Sequence, residues 1–328
     1  MDDPLSAGGS FVPRRWFRGG HRQTLAAALL PRRTTLPTSE KRLFEVEPGV
    51  RVLAYCNWQP DRLGALTLVI IHGLEGSSES QYVVGTANKA WVAGLNVVRM
   101  NVRSCGGSEA LSPTLYHSGL SADVGAVVRE LISHDKLPRI ALAGFSMGGN
   151  MALKLAGEWG SEAPPELRAV AVVCPGVDLA ATADALHRWG NRIYEWHFLY
   201  SLKRSLRRKV RLFPELYDPR CLRGVHSLRG FDDAVTARHF GFSGADDYYA
   251  RASASPVLER IAVPTLVIHP KDDPFVCVTP VSRTRLAANP NVRLLETEHG
   301  GHCGYLAARE GYDGRWAERT IIEFLRSF

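Results

Sequence analysis

Short apolar runs of strand length recur along most of the chain and alternate with segments of helical spacing. Central runs such as LTLVIIHG (66–73) and RIALAGF (139–145) are continuous rather than alternating, as expected of strands covered on both faces of a parallel sheet. This alternation of strands and helices predicts a doubly wound α/β fold. The predicted strands cover residues 42–46, 50–58, 66–73, 95–103, 139–145, 168–175, 264–270 and 292–298, and the predicted helices cover 82–94, 119–134, 147–159, 281–288 and 315–328.

Two stretches interrupt this alternation. Residues 1–40 are rich in Pro, Arg and Gly and predict a wrapping segment with one short helix. The stretch 177–251 lacks a buried-strand pattern, and within it Ile193–Phe213 repeats leucines at helical spacing. A helical insertion between two strands predicts a lid over the carboxyl edge of the sheet. We therefore expect an N-terminal wrapping segment followed by one α/β domain over 41–328 that carries this lid.

Composition and charge narrow the class of protein. The chain has 328 residues, of which 45% are hydrophobic and 22% are charged, as in a soluble globular enzyme. Its net charge of +7 raises the question of nucleic acid, but the sequence holds no zinc-finger spacing, RNP motif or basic arm, so no nucleic-acid partner is predicted. The six cysteines form no CxxC pair, and no secretory leader or apolar run of about 18 residues is found, which predicts a cytoplasmic location.

The segment ALAGFSMGGN (141–150) carries the first candidate chemistry. Ser146 stands between a predicted buried strand and a predicted helix, with glycines on both sides. Such a sharp turn needs strained backbone angles and close packing of strand on helix, which glycines permit. This is the G-x-S-x-G nucleophile elbow. The N–H of Met147, at the start of the helix, is a candidate donor to an oxyanion.

A serine nucleophile needs a base and a carboxylate that orients the base, and in this kind of fold they follow in the order Ser, Asp or Glu, His. The loop KDDP after one predicted strand and the loop EHGGHCGY after the last strand supply them. We expect Asp273 to be the orienting acid and His302 the base. Asp272 and His299 are the alternatives in the same two loops, and Asp178, just past the strand that ends at Pro175, is an alternative acid.

The loop HGLEGSSES (72–80) is the candidate for the second oxyanion donor. A turn at Gly73 would direct the N–H of Leu74 toward the reacting carbonyl, and each such donor is worth about 10²–10³ in rate. His72 is expected to shape this loop through a hydrogen-bonded imidazole. Together with Trp196 and Tyr200 of the lid, His72 is also a candidate for the wall of the substrate pocket.

These motifs resemble those of the YheT-like group of α/β hydrolases, which is related to the animal abhydrolase-domain proteins 1, 2 and 3. The resemblance spans nearly the whole chain and implies an α/β-hydrolase fold with a mostly parallel eight-stranded sheet. It implies a triad of Ser146, Asp273 and His302, with oxyanion donors at Leu74 and Met147. The matching segments are FVPRRWFRGGHRQT, HGLEGSSES, NVRSCGGSE, YHSG, GFSMGGN, PTLVIHPKDDP and GGHCGY.

The sequence also departs from the group. Ser104 stands where relatives often carry glycine, and the N-terminal membrane anchor of the animal relatives is not expected in this chain. Cys105 and His117 lie in matching segments, and the sequence assigns them no chemistry.

The expected reaction is the hydrolysis of short- to medium-chain or lipid-like carboxylic esters through an acyl-enzyme, with no metal and no organic cofactor. A serine at the elbow argues against dehalogenases and epoxide hydrolases, which use aspartate there. A lipase, phospholipase or thioesterase at a membrane surface and a catalytically silent interaction module stay open, as do the physiological substrate and the oligomeric state. Peripheral membrane contact would use the basic side of the lid, which contains Lys203, Arg204, Arg207, Arg208, Lys209 and Arg211.

Overall fold

Eight strands form one sheet in the computed structural model, which describes residues 10–32 and 34–328. The strand order is β1-β2-β4-β3-β5-β6-β7-β8, and only β2 runs antiparallel to its neighbours. The mostly parallel eight-stranded sheet expected from the sequence is confirmed. The strands are β1 (Glu40–Glu47), β2 (Val50–Asn57), β3 (Thr67–Ile71), β4 (Asn96–Met100), β5 (Ile140–Phe145), β6 (Leu167–Val173), β7 (Thr265–Pro270) and β8 (Val292–Thr297).

Burial along the strands follows their place in the sheet. The central strands β3 and β5 are buried at every position, because helices cover both of their faces. The edge strand β1 instead buries Phe44 while Leu43 beside it is 41% exposed. The continuous apolar runs of the sequence are therefore the central strands, and the mixed run is an edge.

Two apolar cores lie on opposite faces of the sheet. One contains Val127, Met151 and Leu286, and the other contains Ala87 and Ile321. The helices that supply these residues are α2 (Gln81–Val92), α3 (Ser121–Ser133), α4 (Met147–Trp159), α10 (Pro280–Ala288) and α11 (Trp316–Leu325).

The chain between β6 and β7 is helical and has a core of its own. Tyr194, Leu199, Leu206 and Phe231 form this core together with Phe275 from the loop after β7. The helices are α5 (Leu179–His187), α6 (Arg192–Leu212), α7 (Leu228–Phe231), α8 (Arg238–Phe240) and α9 (Ala245–Ala252), with a π-helical turn at Asp232–Ala237. This segment, called the lid below, stands over the carboxyl edge of the sheet. The exact domain limits stay a prediction.

The N-terminal part contains one helix of more than a single turn, α1 (Gly20–Leu29), in its described residues. Residues 1–9 and residue 33 lie outside the described residues, and with them part of the predicted wrapping segment. No helix in the described ranges is both long enough and apolar enough to span a bilayer.

Candidate active site

Ser146 lies on the sharp turn between β5 and α4. Its φ of 54° and ψ of −117° are strained for a residue with a side chain. Strand β5 and helix α4 approach so closely that a Cβ on Gly144 would lie 2.5 Å from the carbonyl oxygen of Gly148. The fold therefore holds Ser146 at the carboxyl edge of the sheet, at the N-terminus of α4.

Asp273 and His302 meet at the same edge of the sheet. Nδ1 of His302 lies 2.8 Å from Oδ2 of Asp273, whose Oδ1 accepts hydrogen bonds from the N–H groups of Phe275 and Val276. Burial alone would lower the pKa of His302, but the charge and hydrogen bond of Asp273 outweigh it and raise that pKa. Burial would likewise raise the pKa of Asp273, and the pairing with His302 lowers it. The carboxylate is thus held charged against the imidazole.

The alternative acids and base make other contacts. Asp272 accepts a hydrogen bond from the N–H of Gly301 at 2.9 Å and lies 3.2 Å from Nδ1 of His299. Asp178 caps α5 by accepting from the N–H of Ala181 at 3.2 Å. Asp273 is thus favoured over Asp272 and Asp178 as the acid that orients His302. His299 instead forms an exposed pair with Asp272.

A cavity of about 660 Å³ opens between α1 and α6 and holds Ser146 and His302 on its wall. Trp196 lies on its wall, whereas Tyr200, the other lid residue expected in the pocket, lies one turn further along α6 and stacks on Trp196 with ring centroids 5.8 Å apart. The other lining residues include Leu25, Leu29, Ile193, Phe198, Phe275 and Cys303.

The prediction that His72 lines the pocket is wrong. Its side chain is fully buried behind the loop, with Nδ1 2.7 Å from the carbonyl oxygen of Gly73 and Nε2 accepting from the N–H of Val102 at 3.0 Å. Burial lowers the pKa of His72 to about 4, so its imidazole is neutral. The other expectation for this residue, a hydrogen-bonded imidazole that shapes the loop, fits these contacts.

The two candidate oxyanion donors flank Ser146. A turn closed by a hydrogen bond from Gly76 N–H to the carbonyl of Gly73, at 3.0 Å, leaves the N–H of Leu74 outside the turn bond. A Cβ on Gly73 would lie 3.2 Å from Cβ of Ser146, so this turn runs beside the nucleophile. Met147 is the first residue of α4, where an N–H has no partner within the helix. Both amides are thus placed near the serine.

Helix α1 supports the loop that carries His302, a role that sequence reasoning missed. Oγ1 of Thr24 accepts a hydrogen bond from the N–H of His302 at 2.8 Å. The buried amide of Gln23 donates to the carbonyl of Leu306 at 3.1 Å and accepts from its N–H at 2.7 Å. The signal available in the sequence was the GHRQT motif, which pointed to a family and not to a contact.

Glu75 is a second residue whose importance the sequence did not reveal. It follows Leu74 with a φ of 54°, and its N–H donates to the hydroxyl of Tyr116 at 3.0 Å. Its carboxylate accepts from Tyr116 at 2.7 Å and from the hydroxyl of Ser205, in lid helix α6, at 2.6 Å. The turn that carries Leu74 is therefore tied both to the domain and to the lid, and the acidic residue in HGLEG was the only hint in the sequence.

Replacing Glu75 with alanine is expected to lower kcat by about 10²-fold with little change in KM, because the turn that carries Leu74 loses its anchors. Steady-state kinetics on a soluble p-nitrophenyl ester measure this split. Ser205→Ala is the matched control, because it removes the contact of Glu75 to the lid and keeps the contact of Glu75 to Tyr116, and it should cost less than Glu75→Ala. An unchanged kcat in Glu75→Ala with a lowered Tm would contradict the positioning role.

The structure gives Cys105 and His117 packing roles. The ring of His117 contacts those of Phe240, Phe242 and Tyr248, with centroids 4.5 to 5.7 Å apart. Burial lowers the pKa of His117 to about 3 and raises that of Cys105 well above the usual thiol range. Both side chains are therefore neutral, and His117 joins the YHSG segment to the lid.

Within the described residues, one cluster has the donor atoms of a metal site. The ligand atoms of Cys174, His302 and Cys303 all lie within 4.8 Å of one another. The imidazole in this cluster is the one paired with Asp273, so a thiophilic ion bound here would occupy the candidate base. Such an ion would compete with the proton transfer expected of His302.

Comparisons with known proteins agree with the fold. A family described as the alpha/beta hydrolase fold matches residues 67–308. The protein YheT of Escherichia coli (strain K12) is 33% identical over 326 residues, 99% of this chain and 95% of YheT. Phospholipase ABHD3 of Homo sapiens is 28% identical over 263 residues, which are 80% of this chain and 64% of ABHD3. The solved esterase Pf2001 of Pyrococcus furiosus has a TM-score of 0.59 and 18% identity over 97% of each chain, a likeness of fold.

Proposed function

The chain belongs to the α/β hydrolase family, in its YheT-like group, and from this premise we propose that it is a serine esterase. Its reaction is the cleavage of carboxylic esters through an acyl-enzyme on Ser146, with His302 as base and Asp273 as orienting acid. The observation that carries the proposal is the pairing of His302 with Asp273 on the wall of the cavity that also holds Ser146.

In the first stage, the ring nitrogen of His302 that does not face Asp273 takes the proton of Ser146 as the serine oxygen attacks the ester carbonyl. The amides of Leu74 and Met147 bind the oxygen that becomes negative. His302 then gives the proton to the departing alcohol, which leaves an acyl-enzyme. Asp273 keeps the imidazole in the tautomer that can accept this proton and stabilises its cationic form.

In the second stage, water replaces the alcohol. His302 removes a proton from the water as it attacks the acyl carbonyl, and the same two amides hold the second oxyanion. Collapse of this intermediate returns the proton to Ser146 and releases the carboxylic acid. Apart from the ester and water, the proposed reaction uses only these side chains and amides.

The lining of the cavity supports lipid-like or medium-chain acyl groups as substrates. Leu25, Leu29, Ile193, Phe198 and Phe275 are all apolar residues of its wall. Each methylene that such a wall buries contributes about 0.8 kcal/mol of binding, which is about fourfold in kcat/KM when it persists in the transition state.

We expect kcat/KM for p-nitrophenyl esters to rise by about fourfold per methylene from acetate upward until the acyl chain fills the cavity. Initial rates over a series of chain lengths measure this, with Ser146→Ala as the control for spontaneous hydrolysis. A preference for acetate over all longer chains would contradict the lipid-like substrate class.

A lipase, phospholipase or thioesterase would use the same triad, and the relative named Phospholipase ABHD3 motivates testing phospholipids and thioesters beside the ester series. A silent interaction module would hydrolyse none of them and would not react with a fluorophosphonate. The cytoplasmic location and the absence of a nucleic-acid partner stay predictions.

A further inference from the structure

One face of the long lid helix α6 is exposed along its length and changes character halfway. Ile193 and Trp196 are each 67% exposed, and Tyr200, one turn on, is 53% exposed. Further along the same face the exposed residues are Arg204, Arg207 and Arg211. The spacing of three and four residues places all six side chains on one side of the helix. The N-terminal half of this face is thus apolar and its C-terminal half is basic.

The apolar half of this face borders the opening of the candidate active site. Ile193 and Trp196 line the 660 Å³ cavity, and across it Leu25 and Leu29 of α1 do the same while remaining 47% and 78% exposed. Large apolar side chains that line a cavity and also face solvent mark its mouth. A concentration of them on two helices is unusual for a surface that only water contacts.

The structure divides the basic residues of the lid into two groups. Lys209 is fully buried and donates to the carbonyl oxygens of Glu109 and Ser112, and Lys203 donates to the carbonyl of Val225. Arg208 pairs with Glu109 at 2.8 Å and so also points inward. These three residues serve the packing of the lid and are not available to a partner.

The second group is Arg204, Arg207 and Arg211. All three are exposed, and none makes an ion pair or a hydrogen bond to another side chain within residues 10–32 and 34–328. The expectation of a basic lid therefore holds for these three arginines and not for all six basic residues. Three free cations in line with an apolar rim have the charge pattern that complements an anionic lipid surface.

We infer that Leu25, Leu29, Ile193, Trp196 and Tyr200, with Arg204, Arg207 and Arg211, form a docking face for the surface of an anionic phospholipid bilayer. The apolar side chains enter the boundary between headgroups and acyl chains, and the arginines contact phosphates. The mouth of the cavity then opens into the lipid, so that an acyl chain enters without crossing water. This last step rests on the proposed esterase function, whereas the docking does not.

Sedimentation with vesicles tests the docking on the full chain carrying Ser146→Ala, which prevents hydrolysis. We expect binding to vesicles of phosphatidylcholine mixed with phosphatidylglycerol, and at least tenfold weaker binding to phosphatidylcholine alone. The triple variant Arg204→Gln, Arg207→Gln, Arg211→Gln should bind the anionic vesicles about 10²-fold more weakly, since each cation near such a surface is worth about fivefold. Trp196→Ala combined with Ile193→Ala should also weaken binding.

The matched control removes the same charge from the opposite edge of the sheet. Arg168 lies at the start of β6, Arg260 precedes β7 and Arg326 follows α11, and all three are exposed. Their triple replacement by glutamine should leave vesicle binding unchanged. Equal losses in the two triple variants, equal binding to the two kinds of vesicle, or no binding would overturn the docking face. A dimer that the Trp196 and Ile193 variants dissociate, without vesicle binding, would show a second copy of the chain there instead.

The outcome separates the two proposals. Vesicle binding by a protein that hydrolyses no ester would overturn the proposed function and leave the docking face intact. Ester hydrolysis without vesicle binding would overturn the docking face and leave the proposed function intact.

Discussion

Replacement of Ser146 with alanine is expected to lower kcat for ester hydrolysis by about 10⁶-fold, the effect typical of removing a triad nucleophile. The loss is so large because the attack, the acyl-enzyme and the proton transfer all depend on the one hydroxyl. Purified wild type and variant compared on a p-nitrophenyl ester give the ratio. Labelling by a fluorophosphonate should disappear with it.

A second serine in the same cavity provides the control for this variant. The hydroxyl of Ser80 lines the cavity wall and accepts a hydrogen bond from the N–H of Ser77 at 3.0 Å. Ser80→Ala should keep kcat within tenfold of the wild type and retain labelling. Because alanine and serine have similar backbone freedom at the strained φ of position 146, Tm should not fall. Labelling that survives in Ser146→Ala would reveal another nucleophile, and Cys303 on the cavity wall would be the first to test.

The sequence predicted the limits of the elements around Ser146 closely, because a strand that is buried on both faces is a continuous run of apolar residues. The strand expected over 139–145 is observed as Ile140–Phe145, and the helix expected over 147–159 is observed with the same limits. The edge strand β1 was less well predicted. It spans Glu40–Glu47 rather than 42–46, because its ends are polar and are held by main-chain pairing with β2, which no hydrophobic pattern reports.

The candidate site likewise has a part that the sequence predicted and a part that it did not. Residues that carry the chemistry stand at strand ends in a fixed order, so the sequence could nominate Ser146, Asp273 and His302. The supports of the site could not be found, because they join segments far apart in the chain. Thr24 contacts the main chain of His302 across 278 positions, and Glu75 accepts from the lid across 130.

The sequence also could not predict whether a single long side chain points outward or inward. Lys209 stands in a run of basic residues, and its charge predicted a place on the polar side of the lid. The structure instead buries it, because the carbonyl oxygens of Glu109 and Ser112, far away in the chain, accept hydrogen bonds from its ammonium group. Amphipathic spacing reports which face of a helix is polar, but a long side chain can reach buried acceptors from that face.

Replacement of Asp273 with asparagine is expected to lower kcat by about 10⁴-fold while leaving the fold intact, since the amide presents the wrong partner to Nδ1 of His302 and favours the wrong tautomer. Asp272→Asn is the matched control. Asp272 bonds His299 and Gly301 rather than His302, so its loss should cost less than tenfold. A larger loss in Asp272→Asn than in Asp273→Asn would assign the orienting role to Asp272.

The dependence of kcat/KM on pH provides an independent check of the same pair. His302 acts as a base only when it is neutral, and the charge of Asp273 raises the pKa of His302 above its ordinary value of 6.5. Activity in the wild type should therefore rise with pH through a midpoint above 6.5. Removing the carboxylate takes away the charge and the hydrogen bond of Asp273, both of which raise the pKa of His302, so the midpoint for the residual activity of Asp273→Asn should move to lower pH. A midpoint that stays in place would mean that the carboxylate of Asp273 does not act on the imidazole of His302.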